Sequence, residues 1–268
     1  MNRKIACKVA VLAMGSLMAL EASATLVFDQ GFESDTSGWN DYNSTVTRVT
    51  SGTNGVTSAG GSSHATLNNN VNTYTGAYTY FGGSSSVWPN GFTTTQQIYL
   101  DPTWSSGTGF DWSVAASEND GSHLRDFIFH VAKDTSTGSL LVAGSNNTNG
   151  AVREDLDTLN NYAVTQAGWY TFQHVFSDAG GQLSVDLNLL DAGGSSLFTE
   201  TRTNPADLIS TLVGGNRYGW FTFNDIDGLA IDNTRLETGT QVSQVPEPSS
   251  LALLGLGLIA LVARRKKV

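Results

Sequence analysis

Hydrophobic and polar residues alternate most cleanly over residues 183–189, which read Leu-Ser-Val-Asp-Leu-Asn-Leu. The leucines and the valine fall on one face of an extended chain and the polar residues on the other, which predicts a strand with one buried face. The polar, outward side chains are Ser184, Asp186 and Asn188. Asp-Ala-Gly-Gly occurs on both sides, at 178–181 and 191–194, and predicts hairpin turns. Strands over 169–176 and 196–202 would complete a three-strand meander.

Short segments of the same kind recur along the chain between turn residues. They are predicted over residues 25–29, 45–49, 77–81, 95–100, 109–115, 125–132, 139–143, 218–223 and 229–236. Residues 50–72, rich in Gly, Ser, Thr and Asn, predict long loops. One helix is predicted over residues 206–213, with Asn204 as N-cap, Pro205 in the first position and Gly214-Gly215 after it. The pattern predicts an all-β fold: a two-sheet antiparallel β-sandwich (jelly roll) with one short helix.

The first residues have the order of a secretory signal peptide. Basic residues precede an apolar run over 9–20, and Ala22-Ser23-Ala24 supplies the small residues that a signal peptidase requires. We therefore expect a signal helix within residues 1–24, cleavage after Ala24, and a β-sandwich domain over residues 25–240. The alternative is a buried N-terminal helix.

A second apolar run, residues 251–263, lies near the C-terminus and is followed directly by Arg-Arg-Lys-Lys. A helix over residues 249–263 would be about 22 Å long at about 1.5 Å per residue. The bilayer core is about 30 Å thick, so such a helix would need local thinning or snorkelling of its cations to span it. The cationic cluster predicts a cytoplasmic tail and an external domain.

Pro-Glu-Pro, an apolar span and a terminal basic cluster, in this order, resemble the PEP-CTERM sorting signal. The residues that carry the pattern are Pro246, Glu247, Pro248, Arg264 and Arg265. The resemblance implies a linker over residues 241–248 and a hydrophobic sorting helix with a basic tail over 249–268. It also implies an exosortase-type sorting protease as partner, an inner-membrane tether during transit, and a final place on the cell surface or in the extracellular matrix. A permanent single-pass anchor is the alternative.

Composition narrows the chemistry of the external domain. The one cysteine, Cys7, lies in the signal segment, so the domain has neither disulfides nor thiolate metal ligands. The chain has 14 Lys and Arg against 24 Asp and Glu, and half of the basic residues lie in the two terminal segments. The domain is therefore strongly acidic, which excludes nucleic acid as a partner and suits divalent cations or neutral glycans.

The domain opens with Gly31-Phe32-Glu33 and Gly38-Trp39 and closes with Ile231-Asp232. Together these segments resemble the first and last strands of jelly-roll carbohydrate-binding modules, and Trp-Tyr-Thr-Phe from residue 169 is similar to concanavalin A-like sandwiches. The resemblance implies a structural Ca²⁺ shared by the terminal strands. It nominates Glu33 and Asp232 as ligands, with Asp29 as a helper. The alternative is a pair of strand-edge carboxylates hydrogen-bonded to turn amides.

Glycan binding needs flat aromatic faces beside hydrogen-bonding side chains. The candidate ligand-binding residues, taken as outward or as lying on a neighbouring strand, are Arg125, His130, His174, Asp186 and Asn188. Tyr74, Trp88 and Trp104 are the loop aromatics that could stack on sugar rings, and the alternative for each is a packing role.

No catalytic residues are predicted, because Glu118-Asn119-Asp120 lacks the further spaced acid that hydrolysis requires. The leading hypothesis is a non-catalytic surface or matrix protein that binds extracellular polysaccharide. A glycan-cleaving enzyme of the concanavalin A-like type and a purely structural matrix protein are the alternatives.

Overall fold

Two antiparallel sheets face each other across one buried core. The computed structural model describes residues 24–70, 74–146, 153, 155–208 and 213–239. The strands in these ranges are β1 (Thr25–Gln30), β2 (Trp39–Asn40), β3 (Val46–Thr50), β4 (Ser63–Leu67), β5 (Tyr78–Thr79), β6 (Val87–Trp88), β7 (Phe92–Leu100), β8 (Gly109–Ser117), β9 (His123–Lys133), β10 (Leu140–Asn146), β11 (Asn161–Val164), β12 (Gly168–Asp178), β13 (Gln182–Leu190), β14 (Ser196–Leu208), β15 (Val213–Gly214), β16 (Asn216–Thr222) and β17 (Leu229–Thr238). Two 3₁₀ turns, Thr53–Gly55 and Leu156–Thr158, are the helical structure in this part of the chain.

The strand order confirms the predicted two-sheet sandwich. The eight-stranded sheet runs β14-β13-β12-β7-β17-β4-β3, with β1 paired to β17. The seven-stranded sheet runs β11-β10-β9-β8-β16-β5-β2, and β6 and β15 form a separate two-stranded ribbon. β17, the last described strand, lies inside its sheet and contacts β7, β4 and β1. Thr25 pairs with Thr238, so the two ends of the domain leave it side by side.

Alternate positions of facing strands form the core, as the period of two requires. Leu183, Val185, Leu187 and Leu189 are all buried, which confirms the predicted inward face of β13. Phe172 of β12 packs edge-on to Phe129 of β9, with ring centroids 5.0 Å apart. Burying one such side chain contributes about 1.5–3 kcal/mol, so the strand alternation is the main source of stability.

The predicted helix over residues 206–213 is wrong in the part that the structure describes. β14 continues through Leu208, and Val213 belongs to β15, whereas residues 209–212 lie outside the described ranges. The pairing of β13 with β14 shifts register between Thr203 and Leu208, which leaves a bulge around Pro205. Proline is tolerated at a bulge because no ladder hydrogen bond is required of it there.

β4 lies within residues 50–72, for which the sequence predicts long loops, and it pairs with β3 and β17. The predicted signal helix before Ala24 and the predicted hydrophobic helix over 249–268 lie outside the described residues. Among the described residues, no helix is both long and apolar enough to cross a membrane.

Candidate functional site

Four aromatic side chains share the outer face of the seven-stranded sheet, and we call this surface the aromatic face. Its members are Tyr78, Tyr80, Tyr218 and Trp220. Tyr78 of β5 pairs directly opposite Trp220 of β16, which fixes the two strands' aromatics side by side. The rings of Tyr78 and Tyr80 lie 5.3 Å apart, and those of Tyr218 and Trp220 lie 5.7 Å apart. Tyr80 is 45% exposed, so the face is open to solvent.

The local sequence explains why these side chains point outward. Tyr-Thr-Tyr and Tyr-Gly-Trp each place aromatics two residues apart, and such residues share one face of a strand. The intervening Thr79 and Gly219 point inward, and Thr79 is fully buried. A Cβ at Gly219 would lie 2.6 Å from the ring of Trp112 and 2.7 Å from that of Phe81. Glycine therefore lets the core close directly beneath the aromatic face.

Polar groups border the aromatic face at the β8–β9 hairpin. The ring of His123 stacks parallel to Tyr218, and its Nε2 lies 3.4 Å from Oδ1 of Asp126. Burial raises the pKa of Tyr218 to about 12, and the nearby Asp126 adds to the shift; like an ordinary tyrosine hydroxyl, this group is protonated at neutral pH. Arg217 donates a hydrogen bond to the carbonyl of Gly121. A cavity of about 170 Å³ opens here, lined by Tyr80, Ser84, Ser85, Ser86, Gly121, Arg217 and Tyr218.

His174 does not lie on the outward face as predicted. Its side chain is fully buried in the core, between the rings of Phe129 and Phe176. Its Nε2 donates a hydrogen bond to the carbonyl of Phe127 at 3.2 Å. Burial lowers the pKa of His174 to about 3 despite this hydrogen bond, so the imidazole is neutral at physiological pH. This residue belongs to the core.

His130 is also buried, although it projects away from the inter-sheet core. Its Nδ1 lies 2.6 Å from Oδ1 of Asp111, and its Nε2 lies 2.6 Å from the Oγ of Ser145. A second small apolar cluster, which includes Leu156, covers this part of the sheet. A soluble glycan has no access to these groups, so the three residues form a buried polar network between neighbouring strands.

Arg125 forms a bidentate ion pair with Asp207 of β14. Its Nε lies 2.7 Å from Oδ2 and its Nη2 lies 2.6 Å from Oδ1. Asp207 is 3% exposed, so the ion pair is largely buried. Because β9 and β14 belong to different sheets, the pair joins the two sheets at the end of β14. The guanidinium is thereby committed to a structural contact.

Asp186 and Asn188 do lie on the outer face of the eight-stranded sheet, as predicted. Asp186 accepts a hydrogen bond from Thr201 at 2.6 Å, and Asn188 accepts one from Thr199 at 2.7 Å. Asn188 also donates to Gln173 on β12. The carboxylate, amide and hydroxyl groups of this surface thus hydrogen-bond to one another. Unlike the aromatic face, this surface is polar.

The loop aromatics have packing contacts. Tyr74 is 57% exposed and meets Phe223 edge-on, with ring centroids 4.7 Å apart. Trp88 donates its indole hydrogen bond to Asn216, and Trp104 packs against Phe110.

The proposed calcium ligands Glu33 and Asp232 both hydrogen-bond to the backbone of the loop before β4. Glu33 accepts bonds from the amides of Ser62 and Ser63, which lower the pKa of Glu33. Asp232 accepts bonds from the amides of Ala59 and Gly60 at 3.1 and 3.3 Å. This geometry is that of the alternative to a calcium site, in which strand-edge carboxylates accept hydrogen bonds from turn amides.

Burial raises the pKa of Asp232 to about 6, and the charge of Glu33 adds to the shift. Asp29 instead pairs with Arg235 at 2.8 Å. No group of three or more His, Cys, Asp or Glu side chains in the described ranges is arranged to hold a metal ion. The carboxylates of Glu33 and Asp232 already accept amide hydrogen bonds, so they have partners without a cation. Calcium binding there stays a prediction.

Comparison with protein families decides the nature of the C-terminal tail. The model of the PEP-CTERM protein-sorting motif matches residues 244–267. The chain carries a PEP-CTERM sorting motif. The match confirms the resemblance based on Pro246 to Pro248 and the cations from Arg264 onward. This motif implies export, processing by exosortase-type sorting machinery, and a cell-surface or extracellular destination.

Several solved structures are similar to the domain that precedes the sorting motif. The CBM2 module of the evolved Dit of Lactobacillus casei BL23 phage J-1 has 15% identity, with 80% of this chain and 96% of that chain covered and a TM-score of 0.47. Peanut lectin has 11% identity, with 81% and 98% covered and a TM-score of 0.44. An endo-1,3-beta-glucanase from Streptomyces sioyaensis has 9% identity, with 77% and 99% covered and a TM-score of 0.36. No curated protein matches the sequence.

Proposed function

We propose that the domain binds extracellular polysaccharide through the aromatic face, without cleaving it, after delivery by the sorting motif. The observation that carries the proposal is the row of Tyr78, Tyr80, Tyr218 and Trp220 on one outer sheet surface. Sugar rings present flat C–H surfaces that pack on aromatic faces, and their hydroxyls need hydrogen-bonding partners at the edges. His123, Asp126 and the protonated Tyr218 hydroxyl supply such partners.

The proposal of binding without cleavage has its own support. Glycoside hydrolysis generally needs two carboxyl groups roughly 5–10 Å apart in a groove. The cavity beside the aromatic face is lined by no carboxylate among its described residues. A second cleft, between β11 and the β13–β14 hairpin, is lined by a single carboxylate residue among those described, Asp191. Binding without cleavage needs no such pair of carboxyl groups.

Replacing Tyr78 and Tyr80 together by alanine is expected to weaken binding to polysaccharide by about tenfold or more, the usual loss when an aromatic anchor is truncated. The probe is the polysaccharide extracted from the matrix of the producing bacterium, immobilised and titrated with the purified domain. Thermal unfolding of the variant checks that the fold is retained, because Tyr80 is 45% exposed but Tyr78 is half-buried and pairs opposite Trp220.

The matched control is the pair Asp186→Ala and Asn188→Ala on the outer face of the opposite sheet. These substitutions should leave the affinity unchanged. A loss of binding in the control but not in the tyrosine variant would refute the aromatic face as the binding surface. The absence of binding to the matrix polysaccharide by the wild type would refute the function itself.

We further propose that the sorting tail is removed during export. Protein recovered from the cell surface or the medium is then expected to lack the terminal Arg-Arg-Lys-Lys-Val, as measured by intact-mass spectrometry. Replacing Pro246, Glu247 and Pro248 by alanine should leave the tail on the protein and hold it in the membrane fraction. An intact terminus on exported wild-type protein would show that the tail is a permanent anchor.

A further inference from the structure

A cleft of about 480 Å³ lies between β11, which is the edge of the seven-stranded sheet far from β16 and β5, and the β13–β14 hairpin. Tyr162 of β11 and Trp169 and Tyr170 of β12 are among its lining residues; Tyr170 is buried, whereas Tyr162 and Trp169 are partly exposed. Thr165, Gln166 and the Asp191 turn supply polar groups. Pockets of about 300–1,000 Å³ that combine apolar walls with a few polar groups are typical of small-ligand sites.

The walls of this cleft are held in place before any ligand arrives. The indole of Trp169 donates a hydrogen bond to the carbonyl of Thr57 at 2.7 Å and packs edge-on to Tyr99. The hydroxyl of Tyr170 donates to the carbonyl of Gln166 at 2.9 Å, which fixes the loop that leads into β12. Rigid walls reduce the entropy that binding must overcome.

The charge of the cleft indicates which sugars it suits. Asp191 is the one charged side chain among the described residues that line it. One of its oxygens, Oδ1, accepts hydrogen bonds from the amides of Gly193 and Ser195, both at 2.8 Å. The carboxylate is therefore oriented by the hairpin turn and can accept hydrogen bonds from hydroxyl groups. With a carboxylate and no cation in the lining, the cleft favours a neutral sugar over an acidic one.

We propose that this cleft is a second sugar-binding site, for a neutral sugar unit, and that the domain therefore cross-links polysaccharide chains. Four strand spacings of about 4.8 Å separate β11 from β16, so the two sites lie about 20 Å apart, towards opposite edges of the seven-stranded sheet. One sugar unit does not reach both sites. Two chains can be held at once, and binding to a polymer gains avidity. Cross-linking rests on the proposed function of the aromatic face, whereas sugar binding in the cleft does not.

The test uses short oligosaccharides prepared from the matrix polysaccharide by partial acid hydrolysis. Calorimetric titration should give two sites per wild-type domain and one site for Trp169→Ala. Trp169 also packs on Tyr99, so its replacement could disturb the fold. Gln166→Ala is therefore a second variant: Gln166 is exposed, so its replacement should leave the fold intact. This variant should weaken the affinity of the same site. Loss of the intrinsic fluorescence change on titration of Trp169→Phe would place the sugar at that indole.

Cross-linking is measured separately, as turbidity on mixing the domain with the intact polysaccharide. The wild type should produce turbidity, and either Trp169→Ala or the double variant of Tyr78 and Tyr80 should abolish it while binding to the polymer persists. If the cleft proposal is wrong, Trp169→Ala leaves the number of sites unchanged and Gln166→Ala leaves the affinity of every site unchanged. If the aromatic face is wrong but the cleft is right, Trp169→Ala removes all binding and the tyrosine variant has no effect.

Discussion

Replacing His174 by leucine is expected to stabilise the domain by about 3 kcal/mol more at pH 4.5 than at pH 7.5, each measured against the wild type. The imidazole is fully buried, and its pKa is lowered to about 3, mainly by burial. In the unfolded chain the pKa of histidine is about 6.5. Between about pH 6.5 and pH 3, the histidine is therefore protonated in the unfolded state and neutral in the folded state. His174 therefore contributes full stability above about pH 6.5, and this contribution is lost as the pH falls towards 3.

The pH profile of the wild type alone does not isolate this effect. Burial raises the pKa of Asp232 to about 6, so Asp232 has the opposite sign: its folded form binds a proton more readily, and it favours the folded state as the pH falls below 6. The two contributions partly cancel between pH 7 and pH 4. The difference between variant and wild type removes the Asp232 contribution, because both proteins retain it.

The measurement is denaturant unfolding of both proteins at the two pH values. Leu187→Val is the matched control, since Leu187 pairs opposite His174 on β13 and carries no titrating group. Its destabilisation should be equal at both pH values. An equal effect of His174→Leu at pH 4.5 and pH 7.5 would mean that the buried imidazole takes up its proton in the folded state and would contradict the burial argument.

The place of His174 follows from strand parity, which the sequence contains. His174 has the same parity as Tyr170, Phe172 and Phe176, and all four side chains point into the core. Because histidine is polar, an outward position is the simple expectation. The aromatic residues at alternate positions around it, however, determine which face of β12 is buried. For His130 parity gives the correct direction, away from Phe129. Its burial could not be predicted, because it depends on Leu156, far along the chain, packing on the outer side of the sheet.

The sandwich itself was predictable, whereas the aromatic face was not. Each strand pattern is local, but Tyr78 and Trp220 are far apart in sequence and meet because β5 pairs with β16 in one register. Aromatics two residues apart in both segments were the available signal. β4 was missed for a similar reason: in Ser63–Leu67 only Ala65 and Leu67 are apolar, and the strand is fixed by pairing with β17.

The wrong helix shows how local signals are overruled by pairing. Asn204 and Pro205 read as a helix start, and the Asn204 side chain does accept a hydrogen bond from the amide of Ala206 at 2.9 Å, as an N-cap would. In the sandwich this turn forms a bulge within β14 instead. Beyond the bulge, Asp207 meets Arg125 of the other sheet, and this contact holds the end of the strand.

Replacing Arg125 by methionine is therefore expected to destabilise the domain by about 3–5 kcal/mol, because the carboxylate of Asp207 would remain buried without its cation. Arg125→Lys should lose less, since it keeps the charge but not the bidentate geometry. The double variant Arg125→Met/Asp207→Leu should recover most of the loss, because an apolar pair of similar volume often replaces a buried ion pair at little cost. Denaturant unfolding of the wild type, Arg125→Met, Asp207→Leu and the double variant closes a double-mutant cycle and gives the coupling energy directly.

Arg235→Met is the control, because the pair of Arg235 with Asp29 has side chains 46% and 40% exposed. An exposed pair contributes about 0–1 kcal/mol, so this substitution should change the stability little. If Arg125→Met costs no more than Arg235→Met, Asp207 must reach water or another partner when Arg125 is absent. The ion pair would then not be what fixes the end of β14 against the seven-stranded sheet.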